Sequence, residues 1–426
     1  MRTQKLFALA ISLALIVGLR CAVARAQVKP GDTITPENAA KVKDLVSPGV
    51  FYMVRKGMRL DIVSAERVEW PPPYKEATEK YSAQVRLSRD HRSLVGYVAG
   101  QPFPMLDAND PYVATKIIWN TVYRPIGTDD YDLRYFECDN QYVRPGKPQN
   151  MVDFTTYGHY AGYDLVGRTE VEPLPTDPDF KVSGRLWAFA IYPQLAPQDS
   201  IGDGLLRYRY ADPSKADDTW IWASGSRRLR RLNESMLSTN MGVGYFDAND
   251  YSGFNPKTEE YSYRLLGEKQ MLGCVHAAHS PEVACPYDGG ATACPENWEM
   301  RHEYIVEATP RGGAGNVLEK NDIVYVDSEV WFSPYVDHYD RSGRLWRTNI
   351  FWLTYRDRPV PDARVAIYPF KREFVLGSSE IEVQQGFSTM CYLPARNTPE
   401  RECWYINMGA VDKNFLTTQA MVKAAP

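Results

Sequence analysis

The sequence predicts a mainly β, α+β protein built on one large antiparallel sheet with a few helices. Three observations carry this. Tyr, Trp and Phe make up 12% of the chain and prolines number 30, a composition that favours strands and turns over long helices. Long heptad patterns are absent. Short aromatic and β-branched runs bounded by turn residues recur through the second half, as successive hairpins require.

Each element has its own reason. Strands are expected at residues 184–192, 205–210, 220–223, 303–308, 323–335, 343–355 and 363–369, where such runs stand between turn residues. Asp340-Arg341-Ser342-Gly343 separates two of them and reads as a hairpin turn, with Gly343 free to take the left-handed position of a bulge. Asp212-Pro213-Ser214 starts another reversal. Helices fall earlier, mostly within 27–125. Thr35-Pro36-Glu37 offers an N-cap, a first-turn proline and an acid, so a helix should run to about Leu45. Asp110-Pro111 starts a second, through Ile117, Ile118 and Trp119 to about Tyr123, and a third is expected over 75–84. Nothing in the composition divides residues 27–426, which read as one domain.

The N-terminus bears on location. MRTQK is basic, residues 6–19 are an uncharged apolar run, and Ala24-Arg25-Ala26 matches the small-x-small cleavage pattern. Residues 1–26 therefore read as a secretory signal cleaved after Ala26, and the mature protein as periplasmic. Arg20 before Cys21 argues against lipid attachment. Residues 1–26 carry four basic and no acidic side chains, so their removal moves the formal net charge from −4 to −8. An acidic exported chain does not fit nucleic-acid binding.

Six cysteines remain, an even number in an oxidising compartment. Cys391 and Cys403 flank a proline-containing loop and are expected to bridge, as are Cys285 and Cys294 around PYDGGATA, within an elaborated loop at about 272–298. Cys138 and Cys274 are left for each other. Cys274, His276, His279, Cys285 and Cys294 could converge on zinc, but the spacing matches no standard site, and no metal or cofactor is expected. Asp247–Gly253 opens like a calcium loop, then departs at Tyr251, Ser252 and Thr258. Asp337 and His338 are adjacent on a strand and point to opposite faces, so they read as hairpin residues, not an acid–base pair. No nucleophile elbow, zinc-protease helix or phosphate-binding loop is present, and no catalytic residue is nominated.

The aromatic strand faces are the strongest functional signal. Trp187, Phe189 and Ile191 share one face, Trp220 and Trp222 another, and Trp346 and Trp352 a third. Such faces need covering by helices, a second sheet or a ligand, and these seven residues are the candidate lining of an apolar cavity. Arg227, Arg228, Arg230 and Arg231, in SGSRRLRRL, follow the second face. With arginine on both sides of the strand they suit a charged sheet edge, or contact with an anionic headgroup or acidic partner.

Several stretches together resemble a known family: GDTITPENAAKVKDLVSPG (31–49), ATEKYSAQV (77–85), GYVAGQPFP (96–104), DPYVATKIIWN (110–120), SRRLRRL (226–232), YRLLGEK (263–269), ENWEMRHEYIVEATPR (296–311), YVDSEVWF (325–332) and YDRSGRLWR (339–347). They resemble a bacterial exported domain of unknown function described as similar to outer-membrane lipoprotein-sorting proteins of the LolA/LolB type. The resemblance covers essentially the whole mature chain. It implies an open, strongly curved half-barrel with helices on its concave face, enclosing a cavity for acyl chains. It further implies a protein that carries or senses a lipid or hydrophobic molecule across the periplasm and works with an envelope exporter or outer-membrane partner; with no catalytic motif found, no enzymatic activity is expected. A non-catalytic adaptor docking to a transporter and a carboxylate-dependent envelope hydrolase are the alternatives. The family offers no agreed site residues to carry over.

Overall fold

The computed structural model describes residues 28–142, 152–232, 249, 253–278, 296–312, 318–396 and 404–424. The signal segment, His279, Cys285, Cys294 and Cys403 lie outside these residues, as does most of the Asp247–Gly253 loop. Helices come first. β1 (Thr33–Ile34), α1 (Pro48–Lys56), β2 (Leu60–Ile62), α2 (Pro72–Tyr81), the small hairpin β3 (Arg86–Leu87) and β4 (Leu94–Val95), and α3 (Val113–Val122) follow in order. Then come β5 (Asp130–Tyr142), β6 (Phe154–Asp164), α4 (Asp179–Ser183), β7 (Arg185–Ala196), β8 (Gly204–Tyr210), β9 (Asp218–Ala223) and β10 (Arg228–Leu232). The rest is β11 (Tyr261–Gly273), β12 (Glu296–Pro310), β13 (Glu319–Asp327), β14 (Tyr335–Asp340), β15 (Leu345–Arg356), β16 (Arg372–Glu382), β17 (Phe387–Tyr392), β18 (Trp404–Ile406) and α5 (Thr418–Lys423).

Sixteen strands form one sheet in the order β1-β2-β12-β13-β14-β15-β16-β17-β5-β6-β7-β8-β9-β10, with β11 beside β12 and β18 beside β5. Among the described strands, β2–β12 is the one parallel pairing. The sheet is open, and it consists of two meanders, β12–β17 and β5–β10, joined where β17 pairs with β5. Helix α1 packs against β14 and β15, α3 against β11, and α5 against β8 and β9. The largest core cluster runs from α1 (Val50, Met53, Val54) through Tyr335, Ile350 and Trp352 to Leu133, Phe136 and Phe189.

Local chemistry explains where the sequence reading holds. The Asp340–Gly343 turn joins β14 to β15, with Gly343 at φ 74° and the Asp340 carboxylate accepting from Ser342 N and Arg344 N, both at 2.9 Å. Helix α3 begins three residues after Asp110, whose carboxylate accepts from Tyr112 N at 2.8 Å.

Four expectations are corrected. The helix expected from Thr35 to Leu45 is a run of turns with a 3-10 segment at Ala39–Val42. Asn38 competes with the helix: its side chain accepts from Thr35 N and donates to Thr33 O, each at 2.8 Å. The real start lies later, where Ser47 caps α1, accepting from Val50 N at 3.1 Å, with Pro48 in the first turn. Residues 363–369 form no strand, since Pro359, Pro361 and Pro369 around them remove ladder donors. The run 323–335 is two strands split by a turn whose Glu329 N and Val330 N donate to Asp327.

The fourth correction is the disulfide pairing. Cys138 is bonded to Cys391, 253 residues away, and not to Cys274; Cys391 is therefore not bonded to Cys403. The two sulfurs sit on directly opposed residues of β5 and β17, a juxtaposition set by the seam between the meanders. Cys274 is a buried free thiol.

Candidate functional site

The register of the β5–β10 meander assembles an aromatic face. Trp404 pairs with Leu133, Leu133 with Tyr160, Tyr160 with Ile191, Ile191 with Leu205, and Leu205 with Ile221. One row along, Ile406 pairs with Tyr131, Tyr131 with Gly162, and Gly162 with Phe189; next, Asp164 pairs with Trp187. Because side chains two apart on a strand share a face, these rows place Trp404, Ile406, Tyr131, Tyr160, Phe189, Trp187 and Asp164 on one side. Gly162 is the position that must be small: a Cβ there would fall inside the Tyr131 ring.

A cleft opens on that face at the C-terminal end of α3. Its larger part spans about 970 Å³, its solvent-open mouth included, between Val122, Ile126, Tyr131, Tyr160, Trp187 and Phe189 on one side and Val375, Leu393, Trp404 and Ile406 on the other. A second part of about 640 Å³ continues past Tyr97, Trp119, Tyr123, Arg209 and Glu259. The two share Val122, Arg124, Ile126, Gly127, Asp164 and Trp187. Tyr160 donates to the Tyr131 hydroxyl at 3.3 Å, and the Arg209 guanidinium stacks 4.7 Å from the Trp187 ring while pairing with Asp217.

Electrostatics concentrate at the shared residues. Burial raises the Asp164 carboxyl well above the usual carboxylate range, and the charges of Asp129 and Asp130 add to this against Arg168 and Arg124. Burial likewise lowers Arg124, whose Nη1 donates to Thr121 O at 2.9 Å. A mostly aromatic cleft with a few convergent polar groups and a perturbed carboxyl is the form that small-molecule sites commonly take.

The nominated aromatic residues divide. Trp187 and Phe189 line the cleft. Ile191 shares their face but lies in the packed core. Trp220 and Trp222 are on the opposite face, clustered with Tyr192, Leu206 and Met421 of α5. Trp352 is fully buried in the main core, and Trp346 is 7% exposed with the Arg347 guanidinium 4.4 Å from its ring. Of the arginines, Arg227 lies in the turn at φ 50°, and Arg228, Arg230 and Arg231 lie on β10, last in the sheet order. Arg231 pairs with Asp218; Arg230 stands opposite Ile221, on the face that carries the cleft. Asp337 bonds Ser47, Gly49 and Thr348, while His338 contacts Asp322 at 2.6 Å from the other face. His276 contacts Glu299 at 2.8 Å.

Sequence reasoning missed Arg124, Tyr131, Tyr160, Asp164, Trp404 and Ile406. The alternation of Tyr131 with Leu133, and of Tyr160 with Gly162 and Asp164, is a usable period-2 signal. It is masked because β5 is rich in Asp, Glu and Asn, which strands generally disfavour.

The comparisons with known proteins agree with the sequence resemblance. The model of a family described as "Protein of unknown function (DUF1329)" matches residues 33–376. The chain belongs to that family. As a DUF1329 protein it is 23% identical over 353 residues to Uncharacterized protein PA3922 of Pseudomonas aeruginosa, covering 79% of this chain and 72% of that one. Among solved structures it is similar to a DUF1329 family protein from Desulfovibrio piger (15% identity, 74% of this chain and 100% of that one, TM-score 0.48). It is also similar to a domain from Vibrio parahaemolyticus described as a "putative outer membrane lipoprotein-sorting protein domain" (16%, 72% and 98%, TM-score 0.47). A third is the LolA superfamily protein NE2245 from Nitrosomonas europaea (12%, 72% and 98%, TM-score 0.39). Scores this low leave the case for function on the DUF1329 chain's own cleft.

Proposed function

We propose that this DUF1329 protein binds a lipid or another hydrophobic molecule in the cleft and carries it through the periplasm in support of envelope export or lipid trafficking. The observation that carries the reading is the wall of Tyr131, Tyr160, Trp187, Phe189 and Trp404 around open space, on the face of the β5–β10 meander opposite the one that α5 packs against. Apolar side chains left facing a void lose contacts that an apolar occupant restores. Among the described residues no helix is long and apolar enough to cross a membrane.

Native mass spectrometry of the protein purified from periplasm without detergent, followed by organic extraction, tests this. The expected result is about one bound hydrophobic molecule per chain, lost in Phe189→Glu and kept in Trp220→Ala on the opposite face. A mass equal to the bare chain, with no uptake of added fatty acid or phospholipid, overturns it.

A second reading has its own observation. Arg228, Leu229 and Arg230 are exposed on the last strand of the sheet order, which suits an adaptor that docks to an acidic surface of an envelope transporter. A chain free of ligand, whose association with such a transporter is abolished by Arg228→Glu with Arg230→Glu, would favour that role.

A further inference from the structure

The β9–β10 hairpin carries charge of the opposite sign to the chain as a whole. The formal net charge is −4, yet residues 219–232 hold four arginines and no acidic side chain. Arg227, Arg228, Arg230 and Arg231 are all exposed. Of the four, Arg231 alone pairs with a carboxylate among the described residues, that of Asp218. Three guanidinium groups on one short ribbon are thus left uncompensated. Like charges this close repel one another, and an external anion relieves them.

Their placement says what kind of anion fits. Arg228 stands opposite Ala223 and Arg230 opposite Ile221, on the face that carries the cleft; Leu229 and Arg231 stand opposite Trp222 and Trp220, on the other face. Charge therefore projects from both sides of the last strand in the sheet order. An acidic protein face would lie against one side and leave the other unmet, whereas a plane of phosphates met edge-on reaches both. Apolar surface sits at the same level. Leu229 is 38% exposed, and the Arg231 guanidinium lies 6.0 Å from the ring of the half-buried Trp220. Guanidinium heads beside an aliphatic and an indole side chain are a mixture that settles at the boundary between headgroups and acyl chains. The hairpin is also continuous with the cleft wall. The cross-strand row Tyr160, Ile191, Leu205, Ile221, Arg230 runs along one face to the sheet's end, four strand spacings or roughly 19 Å.

We infer that the β9–β10 hairpin is the dock by which the protein sits on an anionic phospholipid surface, with Arg227, Arg228 and Arg230 on the phosphates and Leu229 at the acyl boundary. The inference goes beyond the carrier reading, because it says where the protein meets a membrane, and it is tested apart from that reading.

Co-sedimentation of the purified mature chain with vesicles tests it, phosphatidylglycerol mixed into phosphatidylcholine against phosphatidylcholine alone. Binding is expected to the anionic vesicles and to weaken in high salt. Arg228→Gln with Arg230→Gln is expected to weaken it about 30-fold, from about fivefold for each arginine near an anionic surface. Arg59→Gln with Arg264→Gln removes the same charge from exposed positions elsewhere and is expected to change binding by less than about twofold. Equal losses in the two pairs, or equal binding to both kinds of vesicle, overturns the dock. So does a chain that ignores vesicles and loses its association with an envelope transporter through Arg228→Gln and Arg230→Gln, which assigns the arginines to an acidic protein. If the double variant does not fold, Arg228→Gln alone, expected to cost about fivefold, decides. A chain that docks on anionic vesicles but holds no hydrophobic molecule in native mass spectrometry supports the dock and overturns the carrier reading alone.

Discussion

A carboxyl that makes no hydrogen bond to another residue and sits away from water has its protonation state set by burial, and Glu373 on β16 is such a group. It is 3% exposed, and neither of its oxygens has a partner among the described residues. Burial pushes it up to about 7; Asp327 adds to the effect, and Arg372 and His276 oppose it. An unfolded glutamate titrates near ~4.3, so between that pH and about 7 the unfolded chain ionises while the folded one keeps its proton. Stability therefore falls as pH rises through this window. Glu373→Gln should stabilise by about 3–4 kcal/mol near pH 8 and by almost nothing near pH 4, read from denaturant melts. An equal effect at both would sink the assignment. Gly162 shows the steric counterpart. Its missing Cβ leaves room for Tyr131, so Gly162→Ala should cost roughly 1–3 kcal/mol by overpacking and weaken ligand binding by displacing the cleft floor. Neither residue stands out in the sequence, because one is a routine strand glutamate and the other a glycine between Ala161 and Tyr163.

Among the elements, α1 shows how a helix is placed by a partner far away in sequence. Its start is legible, since Ser47-Pro48 is a sound N-cap and first turn, yet the Thr35-Pro36-Glu37 signal upstream looks as good and is not used. The deciding partner is Asp337 of β14, which accepts from Ser47 Oγ at 3.0 Å, Gly49 N at 2.9 Å and Thr348 Oγ1 at 2.8 Å. An anion at a helix N-terminus is favoured by the orphan N–H groups there. Gly49 permits the approach, because a Cβ would collide with Asp337 and Thr348. Asp337→Ala should cost about 3 kcal/mol by stranding buried donors, and hydrogen exchange at the first turn of α1 should rise with it. Unchanged exchange there would mean that the bonds do not hold the helix. The opposite outcome of sequence reading appears at the Asp340–Gly343 hairpin, where every determinant is local and the turn forms as expected.

At the scale of the whole molecule, the decisive contact is the seam between the meanders, where β17 meets β5. Cys138–Cys391 crosses it, and Arg396 reinforces it by pairing with Glu137 at 2.7 Å and Asp139 at 2.6 Å. A link across 253 residues removes much of the unfolded chain's freedom. Cys138→Ala with Cys391→Ala should lower stability by roughly 2–5 kcal/mol, toward the upper end for so long a loop. Denaturant melts of the oxidised wild type and the double variant check this; coincident curves would show that the strand pairing alone holds the seam. The ligand cleft lies on the β5–β10 side and borrows Val375 and Leu393 from the other meander's end of the chain, so loosening the seam should weaken ligand binding as well.

The architecture is written in the order of the amino acids: aromatic and proline-rich composition, hairpin turns and strand alternation are local properties, and they suffice for a large antiparallel sheet with a few early helices. Alternation also says which residues share a strand face, and it puts Trp187 and Phe189 together with no further information. Which face is filled and which is left open depends instead on tertiary packing. Trp220 and Trp222 are as aromatic as Trp187, but α5 covers them, and only the approach of one chain segment to another settles that. The same holds for the partner of Cys391 and for the meeting of Arg124 with Asp164, residues 40 positions apart that one cleft brings together. Local propensity has no access to such distances, because burial and charge depend on what packs nearby rather than on what is bonded next in the chain.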